Sequence, residues 1–439
     1  MISKLGDVDI KTGHAFDGCK LNRKKYAEIL TQIVSQYNQG CVLAINGEWG
    51  TGKTTFVKMW KQYLEDDKFH TLYFNAWEND FISDPLIGFI GEFKELNIDN
   101  KLDTELNNVT TNASKIAFFL FKGYINLKTG SDVAKTFKEC TDLLSKEFEN
   151  YEDQKNSIEG FRTALEAFIK GCKTRKPIIF FVDELDRCSP SYAVKVLERI
   201  KHLFSIPNIV FVLSVDKKQL CNAIKGYYGS ESLDAENYLK RFIDIEYNLP
   251  EPSYEDFCNY LYDKFEIGTY INNLEYGNNY KSFSIKLFQH NKLSLRQMEK
   301  IYSHVSLAIS CNKKLRCDSL LFLFFVFIKV CHSETYISFE QKKYEEPQKF
   351  VDDLEPFMPK GSPSFDTPSY VLAEAICVNF SQFGIYLIED IKSKIENVTF
   401  RKTDKKAINE TIERYPVGRD SDFTYKTLTE AIDLLINFD

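Results

Sequence analysis

With 439 residues, the chain has length for about two or three domains, and its formal charge of −7 is too mild to draw it onto nucleic acid or an anionic membrane. Its eleven cysteines are odd in number, scattered and free of any C-x-x-C pair. That excludes a regular zinc or disulfide framework and reads as reduced, mostly buried thiols of a cytosolic protein. The opening residues lack a continuous apolar segment, so no leader is expected.

The first predicted element is an amphipathic helix, because Tyr26, Ile29, Leu30, Ile33, Val34 and Tyr37 recur at helical spacing. The apolar run Cys41–Ile45 then reads as a strand and leads into Gly47-Glu48-Trp49-Gly50-Thr51-Gly52-Lys53-Thr54. This stretch fits G-x-x-x-x-G-K-[ST], and Phe56, Val57, Trp60 and Leu64 lie on one face of a helix behind it. Glycines let the backbone curl so that successive N–H groups converge on a phosphate at the helix N-terminus. Lys53 adds a point charge for the terminal phosphates, Thr54 offers its hydroxyl to Mg²⁺, and Thr55 completes the binding stretch. The chain is expected to bind a nucleoside triphosphate. ATP is taken as the default nucleotide.

Thr71–Asn75 predicts a second strand, and the polar, Lys- and Glu-rich residues 100–159 read as a mostly helical insertion. Pro177–Val182 is a continuous apolar run of the kind buried on both faces of a parallel sheet. Asp183-Glu184-Leu185-Asp186-Arg187 follows it directly. An acidic pair at a strand tip facing a phosphate loop assigns Asp183 to the metal and Glu184 to the attacking water as general base. For Asp186 and Arg187, an ion pair with each other and contact of Arg187 with a neighbouring subunit's nucleotide both stay open. A helix with Val194, Val196, Leu197, Ile200 and Leu203 comes next, then a further buried strand at Ile209–Ser214. Asp216, just past that strand, is a candidate for orienting the lytic water and equally for capping the next helix. A fifth strand is predicted at Phe242–Tyr247. Arg241 before it and Arg296, in Ser294-Leu295-Arg296-Gln297, are candidate fingers for the terminal phosphates, in cis or from a partner. Strands alternating with helices predict an α/β, doubly wound parallel sheet with its ligand at the strands' C-terminal ends.

Beyond Pro250 the strand signal fades, which sets domains at 1–250, 251–310 and 311–439, the last broken by a proline-rich loop at Pro356–Pro368. Leu320–Ile328 is all apolar but far short of the ~20 residues a spanning helix needs, so it predicts a buried helix. Ile116–Phe121 fails the same test at Lys122. The protein reads as soluble. Glu340-Gln341-Lys342, after the alternating stretch Tyr336–Phe339, has the form of a nuclease E-x-K but reads as a solvated strand. Arg23-Lys24-Lys25, Lys313-Lys314-Arg316 and Arg401-Lys402 with Lys405-Lys406 read as solvated basic faces; none pairs with an aromatic ladder for nucleic acid.

Taken together, Asn22–Leu30, the glycine loop, Phe74-Asn75-Ala76-Trp77 and Asp183–Cys188 resemble the successive signatures of the KAP family of P-loop NTPases. Val215-Asp216, Tyr238–Phe242 and Leu295-Arg296 fall where that family has its later motifs, so the resemblance covers roughly residues 15–305. It implies an additional-strand catalytic-glutamate core related to AAA+ and STAND ATPases, with 251–310 as a helical lid and 311–439 as an accessory region. The Asp183-Glu184 pair departs from the family's common Asp-Asp, and the polar 100–159 stands where many members insert membrane helices. The expectation is a cytoplasmic, Mg²⁺-dependent ATPase that switches conformation or oligomeric state, as a homo-oligomer or with an effector protein. The resemblance also implies a role in antiphage defence.

Overall fold

Five apolar runs become one parallel sheet: β1 (Cys41–Asn46), β2 (Thr71–Asn75), β3 (Ile178–Asp183), β4 (Ile209–Val215) and β5 (Ile245–Asn248), in the order β2-β3-β4-β1-β5. The computed structural model describes residues 10–37, 39–82, 84–96, 102–128, 151–203, 206–271, 277–311, 318–361, 366–385, 387–414 and 425–433. Contacts divide the chain into two units, Asp7–Glu251 and a unit containing Pro252–Asp439.

In the first unit, alternation along the strands feeds two cores. Ile179, Phe181, Val210 and Val212 point to one face, where α1 (Lys24–Val34) and α2 (Lys53–Asp66) bring Ala27, Leu30, Val34, Phe56, Val57, Trp60 and Leu64. The Trp60 ring meets Phe181 edge-on at 5.3 Å, and its indole N–H donates to Thr31 at 2.9 Å, tying α2 to α1. Ile178, Phe180, Val182, Phe211 and Leu213 point the other way, onto α3 (Pro85–Phe93), α4 (Asp103–Lys128), α5 (Tyr151–Gly171), α6 (Pro190–Leu203) and α7 (Lys217–Tyr228). Every residue of β3 and β4 is buried, as strands covered on both faces must be.

β4 lies between β1 and β3 with Asn46 opposite Val215 and Asp183 opposite Ser214. The segments that follow β1, β3 and β4 therefore leave the sheet at one level and along one edge. This register is what assembles the site.

Two readings of this unit change. The fifth strand is Ile245–Asn248 rather than Phe242–Tyr247. Phe242 closes the turn after α8 (Ala235–Leu239), its N–H on the Leu239 carbonyl at 2.9 Å, and pairing with β1 begins only where Asp244 meets Val42. The segment 100–159 is less of an appendage than its polarity suggests. Val109, Ala113 and Ile116 of α4 join Phe161, Leu165 and Phe168 of α5 in the sheet's core, while 129–150 lies outside the described residues.

The second unit is helical: α9 (Tyr254–Lys264), α10 (Ile267–Ile271), α11 (Gly277–His290), α12 (Leu295–Cys311), α13 (Ser319–Cys331) and α14 (Ser333–Glu340), then helices at Pro347–Leu354, Thr367–Ser381, Ile388–Ile395, Lys405–Arg414 and Tyr425–Ile432. The run Leu320–Ile328 sits in α13 with every residue buried. Among the described residues no single helix is long and apolar enough to cross a membrane; α13 and α14 meet at a bend of 117°. Tyr336–Phe339 is helix, not strand, because its alternation is too short to fix a period. Pro356 and Phe357 lie in a 3₁₀ turn, and Thr367-Pro368 starts a helix, since proline suits the first turn. Lys313-Lys314-Arg316 lies outside the described residues.

Candidate functional site: the phosphate loop and the acidic strand tip

The loop is anchored at its root. Asn46 donates to Asn248 at 2.8 Å and accepts the Lys217 N–H at 3.0 Å, and the Gly47 N–H meets the Val215 carbonyl at 3.2 Å. Above that root the backbone turns at Gly50 and Gly52, both at φ +80°, a conformation glycine adopts at little cost. α2 then starts at Lys53, which is only 8% exposed. Its ammonium donates to the carbonyls of Gly47 (2.6 Å) and Glu48 (3.0 Å). Burial lowers the Lys53 pKa, opposed by the nearby carboxylates of Asp186, Asp216 and Asp183.

Facing the loop, Asp183 ends β3 at 1% exposure. One carboxylate oxygen accepts the Tyr73 hydroxyl at 2.9 Å, and the other accepts the Glu184 N–H at 2.9 Å. Glu184 is left-handed at φ +60°, an uncommon conformation for a side-chain-bearing residue. Its carboxylate pairs with Arg187 at 2.6 Å and accepts from Asn75 at 3.3 Å. Asn75 is itself fixed, its side-chain oxygen accepting the N–H groups of Trp77 (3.1 Å) and Glu78 (3.2 Å). The Arg187 guanidinium lies 5.7 Å over the half-exposed Trp77 ring. Asp186 accepts the Trp49 indole N–H, and burial raises its pKa.

The donor set suits a magnesium nucleotide. The loop has the glycine conformations that turn amides toward an anion, a buried ammonium stands beside it, and a nearly inaccessible carboxylate faces both. Thr54 in the first turn of α2 and Asp183 are the residues that could hold such a metal.

A family model described as the KAP family P-loop domain matches residues 23–311. The chain belongs to the KAP family of P-loop NTPases. The phage T7 exclusion protein of Escherichia coli K12 is 22% identical over 232 residues, which is 50% of this chain and 31% of that protein. The aligned part is thus under a third of that relative. Among solved structures, the Aeropyrum pernix ORC2 protein covers 94% of each chain at 11% identity and a TM-score of 0.36. C. elegans PCH-2 covers 72% of this chain and 69% of its own at 15% identity and a TM-score of 0.31. Likenesses this distant carry no functional argument.

Within this KAP domain the expected residues divide. Gly47 to Thr55, Asp183, Glu184 and Asp216 gather at one edge of the sheet, since β3 and β4 are neighbours. Asp216 also caps α7, accepting the Gln219 N–H at 3.2 Å. Arg187 pairs with Glu184 and not with Asp186, which accepts the Trp49 indole N–H instead. Arg241 is exposed, its guanidinium 6.0 Å from the Tyr238 ring, and it precedes β5 at the sheet end opposite the loop, so the structure does not bring it to the other expected residues of its own chain. Arg296 is exposed in the first turn of α12, with Glu299 responding to its charge.

Sequence reasoning gave no sign of Tyr73, marked Asn75 only as part of a signature without the bond by which it holds Glu184, and made Arg23 look solvated. That arginine is 3% exposed rather than solvated, and it donates to the carbonyls of Thr51 (2.7 Å) and Gly52 (3.1 Å). A signal was there: Arg23, Ala27, Leu30 and Val34 continue one helical stripe, and the other three are core.

Proposed function

We propose that this KAP protein is a Mg²⁺-dependent ATPase whose nucleotide state drives a conformational or oligomeric switch. The observation that carries the reading is the strand register that brings the phosphate loop, with its buried Lys53, to the same sheet edge as the buried Asp183 and Asp216. Mg²⁺, when bound, would supply neutralisation of the phosphate charge. The chain's own residues divide the remaining work. Loop amides cradle the phosphates, and Lys53 exchanges its two carbonyl partners for the terminal phosphate oxygens. Thr54 and Asp183 hold the metal side. Glu184 takes the proton of the attacking water, Asp216 orients that water, and Arg296 brings a guanidinium to the charge that develops, in cis or from a neighbouring copy.

Lys53→Ala is expected to abolish binding of a fluorescent ATP analogue. Glu184→Gln should bind like the parent yet hold the triphosphate unhydrolysed. Phosphate release by Glu184→Gln at the parent rate removes the assigned base. The name of the Escherichia coli relative supports a role in restricting phage. Protection by the parent in a plating assay, lost in Lys53→Ala, is the expected sign of that role; protection that persists in Lys53→Ala rejects a nucleotide-driven one.

The ion pair between Glu184 and Arg187 favours a second reading, a slow nucleotide-binding scaffold that recruits an effector protein. Phosphate release measured with and without candidate partner proteins separates the two. Turnover unchanged by every partner that binds the ATP form favours the scaffold.

A further inference from the structure

We propose that Arg23 is a positioning residue, aiming two amides of the phosphate loop at the nucleotide by anchoring their peptide planes from behind. The inference rests on the nucleotide-binding reading above, but its geometry stands apart from catalysis. The two terminal nitrogens of the guanidinium each take one carbonyl, Nη2 that of Thr51 at 2.7 Å and Nη1 that of Gly52 at 3.1 Å. A trans peptide is planar, with its C=O and N–H antiparallel. Holding the Thr51 carbonyl therefore points the Gly52 N–H away from Arg23, and holding the Gly52 carbonyl does the same for the Lys53 N–H. These are amides at the start of α2, where a helix presents its unsatisfied donors to an anion.

The loop has reason to need such a brace. Gly50 and Gly52 are at φ +80°, and glycines that reach this region reach many others too. A loop free to sample them would be ordered only on binding, at the expense of affinity. Arg23 is itself well held. Its N–H donates to the Cys19 sulfur at 3.5 Å, and it stands at the head of α1, on the stripe that Ala27, Leu30 and Val34 bury. Lysine would not be equivalent, because one ammonium lacks the planar fork that meets two carbonyls at once. Burial lowers the Arg23 pKa to about 10, so the group stays charged at neutral pH and adds positive potential behind the loop. Among the described residues no carboxylate pairs with it.

The test compares the parent with Arg23→Met and Arg23→Lys by amide hydrogen exchange without nucleotide and by titration with a non-hydrolysable, fluorescent ATP analogue. In Arg23→Met, exchange in the loop peptide 47–55 should rise about 10-fold or more while β3 and β4 keep the parent's protection. Affinity for the analogue should fall by a similar factor, with Arg23→Lys recovering part of both. Should Arg23→Met not fold, Arg23→Lys carries the same comparison against the parent with smaller changes. Unchanged loop exchange overturns the proposal, and so does equal loss of protection in β3 and β4, which would make Arg23 a general structural residue. Unchanged affinity in a variant whose loop has loosened overturns it too. If the parent binds no nucleotide while its loop loosens on substitution, the brace stands and the proposed function falls.

Discussion

Glu184 holds two partners where a water-activating carboxylate is most useful with none. Arg187 takes one oxygen at 2.6 Å and Asn75 the other at 3.3 Å, leaving fewer lone pairs for a water. The left-handed backbone at Glu184 fixes where its side chain starts, and Trp77 beneath the guanidinium favours keeping Arg187 in place. The pair is partly exposed on the arginine side, so its net contribution to stability is on the order of 1 kcal/mol or less. Its larger effect is on geometry. Arg187→Ala is expected to raise single-turnover hydrolysis several-fold, and the gain should vanish in the double variant with Glu184→Gln. A slower rate in Arg187→Ala would instead place Arg187 among the groups that assist the reaction. The residues proposed for this chemistry stand out in the sequence because their spacing is local: a glycine loop and an acidic pair each lie within eight positions. Arg23 does not, because its partners stand 28 and 29 residues away and its two lysine neighbours disguise it as part of a solvated patch.

At the scale of elements, α13 shows how one capping residue serves a helix that is apolar all round. Such a helix has no solvent face and must be core, so its first amides need a buried acceptor. Asp318 provides it, one oxygen accepting the N–H groups of Leu320 and Leu321, each at 2.8 Å. The Tyr370 hydroxyl lies 3.1 Å from its other oxygen and also within reach of Glu374, with one proton to share between the two carboxyl groups. Burial outweighs these bonds and pushes the Asp318 pKa up to about 6. The folded chain thus binds a proton there that the unfolded chain, near pKa 4, releases. This contribution is fully present below pH 4 and is lost as pH rises toward 6 and beyond. Asp318→Asn keeps an acceptor for the cap and removes the titration. Its melting temperature relative to the parent should rise between pH 4 and 7, by an amount that corresponds to no more than about 3 kcal/mol. A difference that stays flat over that range would show that Asp318 does not titrate there. Elements of this kind were readable in the chain, since continuous apolar runs mark β1, β3, β4 and α13. β5 was displaced because it lies at the sheet edge, its alternate residues exposed, and carries no continuous run. Tyr336–Phe339 misled for the opposite reason: a brief alternation fits a strand and a helix turn equally.

At the scale of the molecule, no local pattern states that β4 lies between β1 and β3. It is the pairing of β1 with β4 and of β4 with β3 that sets the order. The order matters because it sets Asp216, the loop and the acidic tip at one edge, at the ends of three strands. A change at that edge has two routes outward. It can pass to α7 through Asp216, which caps that helix, and through Asn46, which meets both its first amide and β5. A switch built this way should be visible in the size of the particle. Light scattering of Glu184→Gln with ATP and Mg²⁺ is expected to give a mass above the 51.0 kDa of one chain, or, if the mass stays at that value, a changed radius of gyration by small-angle scattering. With ADP both quantities should return to those of the nucleotide-free protein. The comparison needs Glu184→Gln because a hydrolysing parent would mix the two states. Mass and radius that are equal in all three nucleotide conditions, in a sample shown to bind ATP, would leave a nucleotide site without a switch.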